Sequence, residues 1–315
     1  MNAIRTDNLT KSFGNVIAVR NLTLQVAGGE LFGLVGSDGA GKTTTMRLLT
    51  AILEPSSGDA WVAGHHIVKE AEAIKEHIGY MSQRFGLYAD LTVIENLHFY
   101  ADIYGVSQKE RQEKIARLLA FSKLTAFRNR RAGNLSGGMK QKLGLACALI
   151  HTPKVLFLDE PTSGVDPVSR REFWRILNEL LREQVTIFVS TAYLDEAERF
   201  HRLALIHDGE LLACGTPEEI KLLMRGAILE LRASQPRQAA QVLRQQLSGV
   251  SVGLFGDRIH IVTDDPSEQT AAQAQNLLGK AGIELLNIGP IEPGLEDIFI
   301  SVLGRKADQQ PERTP

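Results

Sequence analysis

The sequence predicts an α/β protein built on a mostly parallel sheet, with a small α+β unit at its C-terminal end. Three observations carry that prediction. Short apolar runs (ELFGLV at 30–35, VLFL at 155–158, VTIFVS at 185–190) alternate with segments of helical periodicity. That is the pattern of buried strands covered by helices. The first run stops at a glycine-rich stretch, GSDGAGKT at 36–43, and a helical pattern begins within it at Lys42. Beyond Arg225–Gly226 the spacing becomes strand, helix, strand, strand, helix, strand, a β-α-β-β-α-β unit.

The elements follow in order. Residues 3–9 and 16–26 alternate apolar and polar side chains and read as half-buried strands. The helix that starts at Lys42 carries Met46, Leu48, Leu49 and Ile52 on its apolar positions. A strand is expected at 78–82, two helices within 92–121, and another from Ser136 to His151. A helix at 167–183 lies between the strands at 155–158 and 185–190. Asp208–Gly209, between LALIH and ELLAC, is a two-residue hairpin signal. The last unit reads as strands 228–232, 249–255, 258–263 and 283–289 with helices 236–247 and 267–281. These readings divide the chain into 1–224, 225–304, and a polar tail, RKADQQPERTP at 305–315, expected to be disordered. No repeat of fixed period occurs.

Composition narrows the class. Of 315 residues, 43% are hydrophobic and 23% charged, as in soluble globular chains. The net charge of −2 supplies no electrostatic pull toward nucleic acid or an anionic membrane, so no nucleic-acid partner is expected. Two cysteines, Cys147 and Cys214, cannot build a disulfide framework or a CxxC metal site. Both are expected as buried small hydrophobes in a reducing compartment. The N-terminus lacks a basic-then-apolar signal pattern, and no run nears the ~18 apolar residues a membrane span needs. A cytosolic chain is expected, with any membrane role supplied by a partner.

Residues 36–43 match G-x-x-x-x-G-K-[ST] in the strand–turn–helix context that a phosphate loop requires. Glycine lets the backbone curl so that successive N–H groups point at phosphate oxygens, and the following helix adds the positive end of its dipole. The expected cradle for ATP is Gly36, Ser37, Asp38, Gly39, Ala40, Gly41, Lys42, Thr43 and Thr44. Lys42 is placed for the β- and γ-phosphates and Thr43 for Mg²⁺. VLFLDE at 155–160 ends an apolar strand on two carboxylates. In a phosphate-loop enzyme the first, Asp159, holds Mg²⁺ through water, and Glu160 is placed to orient or deprotonate an attacking water. Without the phosphate loop the pair would read equally well as solvated carboxylates. LSGGMKQ at 135–141 opens a helix on Ser136, Gly137 and Gly138. Such an N-terminus is either a second anion site, which suggests two chains sharing nucleotides across an interface, or a simple cap with a glycine turn.

Taken in order, GSDGAGKT (36–43), LSGGMKQ (135–141) and VLFLDE (155–160) resemble the nucleotide-binding subunit of an ATP-binding cassette (ABC) transporter. The resemblance covers roughly residues 3–222. It implies a phosphate-loop ATPase core with an N-terminal antiparallel β subdomain and a helical subdomain at about 86–150. ATP and Mg²⁺ would be bound between two such chains, each phosphate loop facing the other chain's Ser136–Gly138, with integral membrane permease subunits as partners on the inner face of the cell membrane. Phe13 resembles the aromatic residue that stacks on adenine, although a core phenylalanine would look the same. Gln83 resembles the glutamine that touches Mg²⁺ and the water. RFGLYADLTVIENL (84–97) resembles the segment facing the membrane partner, which makes Phe85, Leu87 and Tyr88 either docking or packing residues. SGVD (163–166) resembles the loop that links the two sites, with Asp166 as the coupling residue. PGLEDIFISV (293–302) resembles the ending of bacterial drug- and antibiotic-exporter cassettes, which favours export.

One position departs from the family pattern. After strand 185–190 the family usually shows Ser-Thr-His, with the histidine on the γ-phosphate, whereas this chain reads STAYLDEAE with Ala192 there. Neither His201 nor His207 can replace it, since both lie beyond a helix-like segment. Loss of such a contact costs on the order of 10²–10⁴ in rate. Ala192 fits a heterodimer whose other chain brings the histidine, a slowly hydrolysing homodimer, or an engineered substitution. Ser37 and Asp38 stand where Pro-Asn is common, at outward positions. A nucleotide-responsive regulatory subunit is a competing class, and a soluble ABC ATPase of translation or DNA repair another. The second usually brings paired cassettes, long coiled coils or zinc cysteines, none of which this sequence has.

Overall fold

A computed structural model describes residues 2–83, 86–223, 226–292, 294, 295, 297 and 298. Phe85 and residues 305–315, named above, lie outside the described residues, as does part of 293–302. The chain forms two compact units, Met1–Cys214 and Gly215–Pro315.

The first unit contains two sheets. β1 (Asn2–Phe13), β2 (Val16–Leu22), β3 (Gln25–Ala27), β5 (Ser57–Val62) and β6 (His65–His66) form an antiparallel five-stranded sheet in the order β2-β1-β5-β6, with β3 also on β1. The single strand expected at 16–26 is two, because the chain leaves the ladder with β1 at Thr23 and Leu24 before β3 begins. β4 (Leu31–Val35), β7 (Ile78–Met81), β8 (Val155–Asp159), β9 (Thr186–Thr191), β10 (Arg202–His207) and β11 (Glu210–Gly215) form the second sheet, in the order β11-β10-β4-β9-β8-β7. β10, β4, β9, β8 and β7 are mutually parallel. Every residue of β4, β8 and β9 is buried, which is why these strands read as unbroken apolar runs. Phe188 of β9 stacks on Phe32 of β4 at 5.4 Å and tilts against Phe157 of β8 at 5.6 Å. Asp208 and Gly209 both have positive φ (48° and 78°), the geometry a two-residue hairpin turn demands.

The helices of this unit are α1 (Lys42–Leu49), α2 (Ala71–His77), α3 (Val93–Ile103), α4 (Gln108–Phe121), α5 (Gly137–Ala148) and α6 (Pro167–Arg182). α3 opens on a capping box between Thr92 and Glu95. Ile52 does not belong to α1. The helix stops at Leu49, Ala51 turns left-handed (φ 55°), and Ile52 is exposed. α5 likewise ends before His151, with Ser136 outside it as the N-cap. Cys147 is buried as expected, but Cys214 is exposed on β11 at the sheet edge. Among the described residues no helix is long and apolar enough to cross a membrane.

The second unit begins with α7 (Pro217–Lys221), capped by Thr216. β12 (Ala227–Ala233), α8 (Pro236–Gln246), β13 (Val250–Phe255), β14 (Arg258–Thr263), α9 (Ser267–Lys280) and β15 (Leu285–Ile291) follow in the order the spacing predicts. The sheet runs β13-β14-β12-β15, antiparallel throughout. Its own core joins Leu229, Leu231 and Ile261 to Ala240, Leu243 and Leu278 of the two helices.

The aromatic layer of the parallel sheet sets a stability test. Phe188→Ala removes a fully buried ring from between two others and is expected to cost about 3–5 kcal/mol in chemical denaturation. A loss below about 1 kcal/mol would show that the layer does not hold the sheet.

Candidate nucleotide site

The polar side chains named from the sequence cluster where the parallel strands end. The loop 36–41 follows β4, Gln83 follows β7, Glu160 follows β8 and Ala192 follows β9. Carboxyl ends of parallel strands are where α/β sheets place ligands, because the loops there diverge and leave a crevice. That crevice is a cleft of about 450 Å³ lined by Ala18, Asp38, Gly39 and Gly41–Thr44 on one side and Gln83, Glu160 and Ser163 on the other.

The loop conformation depends on glycine at one position above all. Gly41 has φ 100°, and a Cβ there would fall 2.3 Å from the Ala18 carbonyl oxygen. Gly41 is also the N-cap of α1 and brings no side-chain cap, so the first N–H groups of that helix stay available to an anion. Ser37 and Asp38 are exposed, but Asp38 still lines the cleft, with its Oδ1 3.9 Å from Lys42 Nζ. Ala40 is buried beneath the loop.

Lys42 is the centre of the cleft. Its side chain is only 4% exposed, and its Nζ donates to the Gly36 carbonyl at 2.8 Å and the Ser37 carbonyl at 3.0 Å. The same Nζ pairs with Glu160 Oε1 at 3.1 Å. Glu160 Oε2 accepts from the Gln83 amide at 2.9 Å. Glu160 holds a left-handed backbone (φ 48°), and its N–H is shared between the carbonyl and hydroxyl oxygens of Ser190, each at 3.1 Å. Ser190 in turn donates to Asp159 Oδ1 at 2.5 Å. Ser190 therefore ties the Asp159 carboxylate and the Glu160 backbone to β9. Sequence reasoning did not single it out, although a serine ending an apolar strand beside another strand's Asp-Glu was the available signal.

The donor set suits a magnesium ion. Asp159 is buried, and its Oδ2 has no hydrogen-bond partner. Thr43 lines the cleft, and the Gln83 amide oxygen is left over from its bond to Glu160. No cluster of three or more His, Cys, Asp or Glu occurs among the described residues. Mg²⁺ takes one or two carboxylates and completes its shell with water and phosphate oxygens. Tyr80, half buried on β7, has its hydroxyl pushed up to about 12 by burial and then by the nearby Asp159 charge.

The remaining predicted residues stand apart from the cleft lining. Phe13 is 51% exposed at the end of β1 with Lys11 Nζ 5.2 Å from its ring centre, so it is not a core residue. Ser136 caps α5 by accepting from the Met139 N–H at 3.3 Å, and a Cβ on Gly138 would fall 2.3 Å from Ser169 Oγ. Asp166 caps α6 through the N–H groups of Val168 and Ser169, and the Ser169 N–H first of all holds its carboxyl below the usual range. Leu87 is half-buried, while Tyr88 is exposed with its ring edge-on to Phe99 at 4.4 Å.

Comparison with known proteins follows the same lines. The profile of the family described as "ABC transporter" matches residues 19–163. The chain is 44% identical over 291 residues to the probable multidrug ABC transporter ATP-binding protein YbhF of Escherichia coli, covering 91% of this chain and 49% of that protein. It thus spans about half the length of that relative. It is 36% identical to the Nod factor export ATP-binding protein I of Rhizobium sp., covering 98% of this chain and 99% of the relative. It is 34% identical to the daunorubicin/doxorubicin resistance ATP-binding protein DrrA of Streptomyces peucetius, covering 98% and 94%. Among solved structures, an ATP-binding subunit of an ABC transporter superposes with a TM-score of 0.64 at 28% identity, over 70% of this chain and 92% of that one. A dimeric bacterial ABC transporter cassette superposes with a TM-score of 0.62 at 25% identity, over 68% and 98%.

The two flexible glycines of the loop give a direct test of the cradle. Gly39 also has positive φ (81°), but a Cβ on it would meet open space. Gly41→Ala is expected to weaken binding of a fluorescent ATP analogue at least about tenfold more than Gly39→Ala, because only Gly41 adds a backbone clash to the left-handed strain. Equal effects would remove the close approach to Ala18 as the reason for glycine at 41.

Proposed function

The chain belongs to the family of ABC transporter ATP-binding proteins, and from that premise we propose that it binds and hydrolyses ATP to energise a membrane exporter. The observation that carries the reading is the meeting of Lys42, Glu160 and Gln83 in one cleft at the carboxyl ends of the parallel strands. A buried ammonium that rests on two loop carbonyls and a carboxylate has those acceptors only until phosphate oxygens replace them. On ATP binding, the loop N–H groups and the start of α1 take the phosphates and Lys42 turns to the β- and γ-oxygens. Glu160 is thereby released. Gln83 orients a water, Glu160 accepts its proton as its oxygen attacks the γ-phosphorus, and the bond to the β-phosphate oxygen breaks to leave ADP. Thr43, Gln83 and, through water, Asp159 would hold Mg²⁺, which neutralises charge on the β- and γ-phosphates.

The unit containing the cleft is proposed to pair with a second such chain, Ser136–Gly138 of one facing the phosphate loop of the other, with Phe13 against adenine and Asp166 linking the two sites. The exposure of Phe13, Ser136 and Asp166 supports roles outside their own chain's core. Both ends of the dimer would sit on permease subunits at the inner face of the membrane, through the segment holding Leu87 and Tyr88. The relatives' drug-resistance and export roles support export of a drug, antibiotic or lipid-like compound. The second unit is proposed as an accessory domain.

Ala192 supports a second reading, a weakly hydrolysing or regulatory partner in a heterodimer, because a methyl group offers no donor to a γ-phosphate. Two substitutions separate the readings. Glu160→Gln is expected to retain ATP binding while lowering phosphate release by at least about 10²-fold. Ala192→His is expected to raise turnover of the purified chain about tenfold or more. No gain in a chain shown to be a homodimer would mean that the missing imidazole does not limit the rate.

A further inference from the structure

Four residues past Ala192 lies Glu196, a carboxylate only 1% exposed. It sits on the 3₁₀ turn Leu194–Arg199 and is not part of the cleft. Burying a carboxylate is unfavourable unless hydrogen bonds replace its water. Glu196 has three. Its Oε1 accepts from Thr162 Oγ1 at 2.7 Å and from Trp174 Nε1 at 3.2 Å. Its Oε2 accepts from Thr191 Oγ1 at 3.0 Å. Arg170 lies near, with its Nε 3.7 Å from Oε1.

Each donor belongs to a different part of the site. Thr162 is two residues beyond Glu160 and opens the loop that runs to Asp166. Thr191 immediately precedes Ala192, its hydroxyl accepts the Tyr193 N–H at 3.0 Å, and its carbonyl accepts the Gly36 N–H of the phosphate loop at 3.3 Å. Trp174 and Arg170 lie on α6, which Asp166 caps. Thr162, Thr191 and Trp174 are all buried. A single carboxylate therefore joins the loops that follow β8 and β9 and the helix that leads away from them.

We propose that Glu196 is a positioning residue of the hydrolytic site: its carboxylate locks the 160–166 loop to the 191–193 segment, so that Glu160 and the residues opposite it move as one body. The inference rests on the proposed ATPase reading. Two hydroxyls and an indole on one carboxylate form a network whose members support each other's geometry.

The experiment uses the full chain and two readouts. In steady-state kinetics, Glu196→Ala is expected to lower kcat about tenfold while affinity for a fluorescent ATP analogue changes less than about threefold. Glu196→Gln keeps one oxygen and the side-chain shape, and the threonine hydroxyls can turn to accept from its amide. It is expected to recover kcat to within about threefold of wild type. Equal loss in both variants, or parallel loss of binding and turnover, would overturn the inference. The second readout is amide hydrogen exchange in Thr162→Val, a shape-conserving change that removes one of the three hydrogen bonds and tolerates a failure of Glu196→Ala to fold. Exchange is expected to rise across 191–196 as well as 160–166. A rise confined to 160–166 would overturn the inference. A wild-type chain without ATPase activity would sink the functional reading alone, and the exchange measurement would then decide the coupling by itself.

Discussion

An ammonium group with 4% exposure must find acceptors, and Lys42 finds them on both sides of the cleft. Two are carbonyls of its own loop, which makes the curl of residues 36–41 a condition for burying the lysine. The third is Glu160, which brings the end of β8 toward the end of β4. β9 lies between those strands, and Ser190, one residue before its end, ties it to the end of β8 by holding Asp159 through its hydroxyl and the Glu160 N–H through both of its oxygens. The left-handed backbone of Glu160 follows from the same demand: its N–H points to β9 while its carboxylate reaches Lys42 and Gln83.

Around that centre the polar groups form two tiers. The inner tier faces the cleft and uses groups that a phosphate can displace. The outer tier is buried, and in it Thr162, Thr191 and Trp174 each donate a hydrogen bond to the Glu196 carboxylate. An inner tier that must rearrange on ligand binding is best mounted on an outer tier that does not, because displacement then stays local. On the proposed reading, Ala192 is where the two tiers lack a side chain to join them across the ligand.

The second unit shows how far a regular pattern carries. In β14 alternate residues (Ile259, Ile261, Thr263) are buried, and α8 buries Ala239, Ala240 and Leu243 at helical spacing. The order β13-β14-β12-β15 follows from packing both helices on one face of an antiparallel sheet. At the end of α1 a single backbone conformation defeated local reading: Ala51, left-handed, ends the helix ahead of Ile52. Alanine does not announce that conformation in the way glycine does.

Taken alone, the sequence determined the buried strands, the phosphate loop with Lys42 and Thr43, the carboxylates Asp159 and Glu160, and the alanine at 192. Each is local: an apolar run, a glycine spacing, a charge at a strand end. The family motifs Ser136–Gly138 and SGVD at 163–166 were legible for the same reason. Only the tertiary structure decided that Gln83, Lys42 and Glu160 meet, that Ser190 spans two strands, and that Glu196 gathers donors from 162, 174 and 191. Those contacts join residues from five positions apart (Thr191 and Glu196) to 118 apart (Lys42 and Glu160). Chain periodicity carries no information about which strands lie side by side, and that neighbour order is set by burying every face of β4, β8 and β9 at once.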